Sequence, residues 1–153
     1  MNMSEVKRIL LVEDSKQDVE LTLSALQECR LANEVVVARD GAEALDYLHR
    51  RGKFSNRGEA EPGVVFLDLK LPKVGGLEVL RQMKTDERFK NVPVVILTSS
   101  REEQDLAQSY QLGGNAYVVK PIDFQQFTAT IKELGLFWAI INEAPRSSRV
   151  AGK

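Results

Sequence analysis

The run Val64-Val65-Phe66-Leu67-Asp68-Leu69-Lys70-Leu71-Pro72 constrains this chain more than any other stretch. A continuous apolar segment of this length, bounded by Pro62-Gly63 and by Pro72, predicts a strand buried on both faces. Such a strand belongs to a parallel sheet covered by helices, and here it carries Asp68 to its carboxyl end. Ligands of open parallel sheets bind outside that end, so a carboxylate placed there is a candidate site residue. An isolated aspartate has a plainer explanation, the capping of a turn. What else the chain puts at strand ends decides between the two.

The pattern recurs. Residues 8–12 (RILLV) end in Glu13-Asp14, residues 34–38 (EVVVA) lead into Asp40-Gly41, residues 94–97 (VVIL) end in Thr98-Ser99-Ser100, and residues 116–119 (AYVV) end in Lys120-Pro121. Helical periodicity fills the intervals. It runs over 15–30 (stripe Val19, Leu23, Leu26), 42–51 (Ala44, Leu45, Leu48, ended by Gly52), 77 to about 87 (Leu77, Leu80, Met83) and 101–112, closed by Gly113-Gly114-Asn115. Five strands alternating with helices predict an α/β fold: a doubly wound five-stranded parallel sheet, order 2-1-3-4-5, helices on both faces, flavodoxin-like. In that order Glu13, Asp14, Asp68, Thr98 and Lys120 all lie on one edge.

Length and charge narrow the rest. The 153 residues, 43% of them apolar, suit one domain over 8–142, with residues 1–7 as an N-terminal extension and 143–153 as a disordered tail. Lysine and arginine (21) balance aspartate and glutamate (22), so no basic field for nucleic acid is expected and a protein partner is. The first apolar run is too short for a signal peptide or a membrane span, which predicts a cytoplasmic protein with no membrane contact. The lone Cys29 excludes an internal disulfide and reads as half-buried. Residues 52–63 read as a polar connection in which Lys53, Arg57, Glu59 and Glu61 are solvated, and His49 as a residue remote from the site.

In the expected strand order, β-strands one and three are neighbours about 4.8 Å apart, so Asp14 and Asp68 converge. Two ionised carboxylates this close call for a cation, and an all-oxygen donor set favours Mg2+ over zinc. With an ammonium and a hydroxyl opposite, this is the equipment of phosphoryl transfer through an aspartyl phosphate. Asp68 is then the phosphoacceptor. Asp14 and Asp68 hold the metal, with Glu13 through water and the Lys70 main-chain carbonyl as a further oxygen. Lys120 balances phosphoryl oxygens, and Thr98 donates a hydrogen bond to one of them.

Taken together, Glu13-Asp14, Asp68 with Pro72, Gly76, Thr98-Ser99 and Lys120-Pro121 make the chain resemble a response-regulator receiver domain of two-component signalling over about residues 8–141. It further resembles the stand-alone regulators that pair with bacterial phytochrome-type histidine kinases. The run 40–48 (DGAEALDYL), the long connection after it, the run 93–100 (PVVILTSS) and Phe137-Trp138 carry that narrower likeness. The resemblance implies a phosphorelay switch rather than an enzyme, with a sensor histidine kinase as partner. It also implies that phosphorylation draws Thr98 toward the phosphate while Tyr117 turns inward, and that Lys120-Pro121 is a cis peptide. Two departures from the common pattern stand out: Glu13 where many receivers have aspartate, and Lys70, whose long side chain is expected to influence phosphoryl lifetime.

Two rivals fail on residues. Aspartyl-phosphate phosphatases show Asp-x-Asp-x-Thr, whereas Lys70 and Pro72 stand at the third and fifth positions here, leaving no acid for the leaving group. A flavin phosphate would be repelled by Glu13, Asp14 and Asp68. At the other end of the chain, Phe124, Phe127, Ile131, Leu134, Trp138 and Ile141 form a heptad-like seam on a helix over 123–141. At roughly 28 Å it exceeds what a roughly 17 Å strand needs for cover, which predicts a homodimer through this end. Gly135 offers the alternative of ending the helix.

Overall fold

The apolar runs become strands β1 (Ile9–Val12), β2 (Val35–Ala38), β3 (Val64–Asp68), β4 (Val94–Thr98) and β5 (Ala116–Val119). All pair in parallel, in the order β2-β1-β3-β4-β5. The structure, a computed structural model, describes residues 8–30, 35–58, 60–99, 111, 113, 116–133 and 135. The described helices are α1 (Lys16–Glu28), α2 (Gly41–Leu48), α3 (Gly76–Thr85) and α4 (Phe124–Glu133). This is the expected doubly wound sheet with helices on both faces.

Strand alternation divides the core in two. Leu10, Val12, Val65, Leu67, Val94 and Ile96 face α2 and α3, packing with Ala44, Leu48, Leu80 and Met83. Ile9, Leu11, Val64, Phe66, Val95, Leu97 and Val118 face the other way, against Val19, Leu26, Phe127 and Ile131 of α1 and α4. Phe66 and Phe127 stack there at 5.3 Å between ring centres, both fully buried. Losing either ring would cost about 3–5 kcal/mol.

The loop after β3 is held by two glycines. A Cβ on Gly76 would stand 2.3 Å from the Asp68 carbonyl oxygen, and one on Gly41 would stand 1.9 Å from that of Val74. Only a hydrogen fits at either place, so the first residues of α2 and α3 press directly on residues 69–75 and set the height at which Asp68 emerges.

The helix ends depart from the sequence reading. The second helix stops at Leu48 instead of running to residue 51: His49 is its C-cap and Arg50 turns out at φ 56°. The third runs Gly76–Thr85, beginning one residue earlier and ending about two earlier than the periodicity suggests. The last helix is described over Phe124–Glu133, and Gly135 beyond it stands at φ 65° with its N–H donating to the Lys132 carbonyl. Leu134, Trp138 and Ile141 of the seam lie outside the described residues. So do most of the helix expected over 101–112, the extension 1–7 and the tail 143–153.

Residues 52–63 hold a larger correction. A 3-10 turn, Gly52–Phe54, starts this segment, and Arg57 is not solvated: its side chain is only 9% exposed. Arg57 Nε donates to the Tyr47 carbonyl at 2.5 Å and Nη2 to the Leu48 carbonyl at 3.0 Å, while Nη1 donates to the carbonyls of Gly58 and Ala60. The guanidinium lies 4.4 Å from the Tyr47 ring centre, and Glu61 completes the set at 3.2 Å. The planar five-donor group thus caps α2 and folds the loop around itself. Lys53 stays largely exposed and pairs with Glu43.

Candidate functional site

Register and alternation assemble the acidic edge. Val12 pairs with Leu67 across β1 and β3, so Glu13 and Asp68 sit side by side one step beyond. Glu13 continues the parity of Ile9 and Leu11, Asp68 that of Val64 and Phe66, and Lys120 that of Val118; all three are therefore directed to the α1/α4 side. The Glu13 N–H donates to the Ala38 carbonyl and the Lys120 N–H to the Thr98 carbonyl, both at 2.9 Å, extending the ladders past the strand ends.

At this edge one ammonium meets three carboxylates. Lys120 Nζ lies 2.6 Å from Glu13 Oε1, 2.9 Å from Asp68 Oδ2 and 2.9 Å from Asp18 Oδ2. Asp68 Oδ1 accepts the Lys70 N–H at 2.9 Å, and Glu13 Oε2 accepts that of Ser15 at 3.2 Å. Glu13 and Asp68 are buried and Asp14, one residue on, is exposed at the mouth. Glu13 Oε1 is close to the ammonium yet has no hydrogen bond of good geometry, so that contact is one of charge alone.

The electrostatics follow from this crowding. Burial pushes the Glu13 carboxyl up to about 7; the Lys120 ammonium opposes the rise and the neighbouring Asp68 carboxylate adds to it. Burial would lower the Lys120 pKa, but the carboxylates of Glu13, Asp68 and Asp18 around its ammonium outweigh it and the lysine is held protonated. The site carries more negative charge than its lysine cancels. Glu13, Asp14 and Asp68 each offer an oxygen, all within 4.8 Å of one another. An all-oxygen set with surplus negative charge and an under-bonded buried oxygen fits a hard divalent cation.

Other candidates fall where expected, with one addition. Thr98 is buried at the end of β4, opposite Val119 of β5. Tyr117 is half-buried and packs against the α2/α3 core, and the Lys120-Pro121 peptide is cis. The Lys70 side chain is exposed. His49 is remote: its Nδ1 lies 2.7 Å from Arg88 Nη2 at the far end of α2, its pKa lowered by burial and by Arg51 and Arg88. Cys29 is half-buried, its Sγ 3.8 Å from Thr128 Oγ1. The addition is Asp18. Ser15 Oγ accepts the Asp18 N–H as an N-cap, so the spacing suggests only a residue of the first helical turn, and nothing local shows its carboxylate meeting a lysine 102 residues away.

Residues 9–132 match the response regulator receiver domain family. The chain belongs to that family. As a receiver it is 37% identical to the response regulator Rcp1 of Synechocystis sp. over 132 residues, which are 86% of this chain and 88% of Rcp1. Among solved structures it resembles the bacteriophytochrome response regulator RtBRR at 58% identity and TM-score 0.81, covering 96% of this chain and 89% of RtBRR. The phosphorylated cyanobacterial phytochrome response regulator RcpA follows at 40% identity and TM-score 0.74, covering 88% and 94%. The Mn(2+)-bound form of Rcp1 gives TM-score 0.72 at 37% identity, covering 87% and 94%. Receivers are signalling domains, and no described helix of this one is long and apolar enough to cross a membrane.

Proposed function

We propose that this receiver is a single-domain response regulator of a phosphorelay, taking a phosphoryl group from a sensor histidine kinase onto Asp68 and signalling in the cytoplasm through altered protein contacts. The observation that carries the reading is the convergence of Asp68, Glu13, Asp14 and Lys120 on one sheet edge. A carboxylate oxygen of Asp68 attacks phosphorus, the bond from phosphorus to the histidine nitrogen breaks, and the imidazole leaves with the electron pair. Lys120, which neutralises Asp68 beforehand, then faces the phosphoryl oxygens, and the Thr98 hydroxyl donates to one of them. Asp14 and Asp68, the Lys70 main-chain carbonyl, and Glu13 through water are the residues that would hold Mg2+. When bound, that ion supplies positive charge against the phosphoryl oxygens.

Rcp1, solved with Mn2+, supports a divalent ion in this family, and the acidic cluster supports Mg2+ here. The names of RtBRR and RcpA support a phytochrome-type kinase as the partner. Thr98, Tyr117 and Pro121 form the switch in this reading, with the two arrangements of Thr98 and Tyr117 differing in population before and after transfer. The apolar run 136–141 (LFWAII) supports self-association through the C-terminal end.

Intact mass after incubation with phosphoramidate and Mg2+ tests the acceptor. Asp68 attacks phosphorus, the P–N bond breaks and ammonia departs, leaving one phosphoryl group on the chain. The adduct is expected in the unmodified protein and absent in Asp68→Asn and in chelator. An adduct that persists in Asp68→Asn would refute the assignment.

A further inference from the structure

The ion cluster contains one carboxylate that the phosphoryl chemistry does not require. Glu13 and Asp68 reach Lys120 from strand ends, but Asp18 reaches it from the first turn of α1, with its side chain 24% exposed, at the solvent side of the cluster. It stands apart from the oxygens of Glu13, Asp14 and Asp68 that cluster for a cation. Its bond to Lys120 is as short as the one Asp68 makes, 2.9 Å in each case.

Geometry makes this a competition. Both aspartate oxygens touch the same ammonium nitrogen at 2.9 Å, so they stand no more than about 6 Å apart. A phosphoryl group arriving at Asp68 brings oxygens that need the same ammonium, and it brings them within reach of the Asp18 charge. Before transfer the ammonium donates to Asp18 and to Asp68 and lies in charge contact with Glu13, so a phosphoryl oxygen approaching from the solvent side competes with Asp18 for it.

Building on the phosphoacceptor reading above, we propose that Asp18 is a positioning residue that brakes phosphoryl uptake: its carboxylate holds Lys120 and competes with the incoming phosphoryl group for that ammonium. The helix does not need this carboxylate, since the cap is made by Ser15 Oγ and the Asp18 main-chain N–H. Asp18→Asn keeps the shape and a weaker hydrogen bond to Lys120 while removing the charge. A unit charge about 6 Å away, in the partly screened setting of a site mouth, changes the rate by about three- to tenfold.

The test follows the rate of adduct formation by intact mass, in the full chain with phosphoramidate at sub-saturating concentration and Mg2+ in excess, for the unmodified protein, Asp18→Asn, Asp18→Glu and Asp68→Asn. Uptake is expected to be about three- to tenfold faster in Asp18→Asn, a gain that loss of structure would not give, and to return toward the unmodified rate in Asp18→Glu. A normal adduct in the unmodified protein, with Asp18→Asn equal or slower, overturns this inference alone. No adduct in the unmodified protein overturns the phosphoacceptor reading and this inference with it.

Discussion

Arg57→Ala separates a loop of solvated charges from a loop built around a buried guanidinium. In the structure this side chain, 9% exposed, donates to four carbonyls, two at the end of α2 and two within the loop itself, and lies over the Tyr47 ring. Each charge-assisted hydrogen bond contributes about 1.5–3 kcal/mol, but truncation lets water reach the freed carbonyls and lets the loop regain conformational entropy. The net loss is therefore about 2–4 kcal/mol, well below the sum of four bonds. Arg57→Lys keeps the charge but replaces a planar fork by a point donor, and should lose about half as much. Equilibrium urea denaturation reads this directly: at an ordinary slope of about 2 kcal/mol per molar, a loss of about 3 kcal/mol moves the midpoint down by about 1.5 M. A solvated surface arginine would stay within about 0.5 kcal/mol. If Arg57→Ala unfolds within that margin of the unmodified protein, the reasoning about this loop is wrong.

Three shorter predictions accompany it. A carboxyl whose folded pKa is raised, as Glu13's is from 4.5 to about 7, contributes stability that is complete below pH 4.5 and is lost as pH rises through about 7. In metal-free buffer the unmodified protein should lose about 3 kcal/mol over that window and Glu13→Gln should not; superimposable pH profiles from denaturation of the two would sink the idea. Lys70→Ala should change the rate at which the phosphorylated protein loses its phosphoryl group, because that exposed side chain stands two residues beyond Asp68, at the residue whose main-chain N–H binds the Asp68 carboxylate; an unchanged decay by intact mass would discard the role. Sedimentation at high micromolar concentration should show dimers, and a monomer both with and without phosphorylation would end the case for self-association.

The strand order was legible because each β-branched run is short, uninterrupted and followed by polar residues at the same end. Burial on both faces leaves a parallel sheet as the economical solution, and period-two alternation then places Glu13, Asp68 and Lys120 on one side. The helix ends were less legible. Periodicity continues past Leu48, but a left-handed residue at Arg50 and the carbonyl caps supplied by Arg57, nine and ten residues further on, end α2 there. A formal charge in a polar stretch looks the same in sequence whether water or four carbonyls surround it.

The sequence by itself determined which residues stand at the carboxyl edge, because chain direction and strand alternation are local properties that survive into the fold. Only the tertiary structure decided how they share charge. One ammonium lies between Glu13, Asp18 and Asp68, drawn from two strand ends and the first turn of a helix, and Asp18 reaches it across 102 residues of chain. No periodicity encodes such a contact, since it depends on how α1 docks against the sheet and brings its first turn to a lysine already facing two carboxylates at the strand ends.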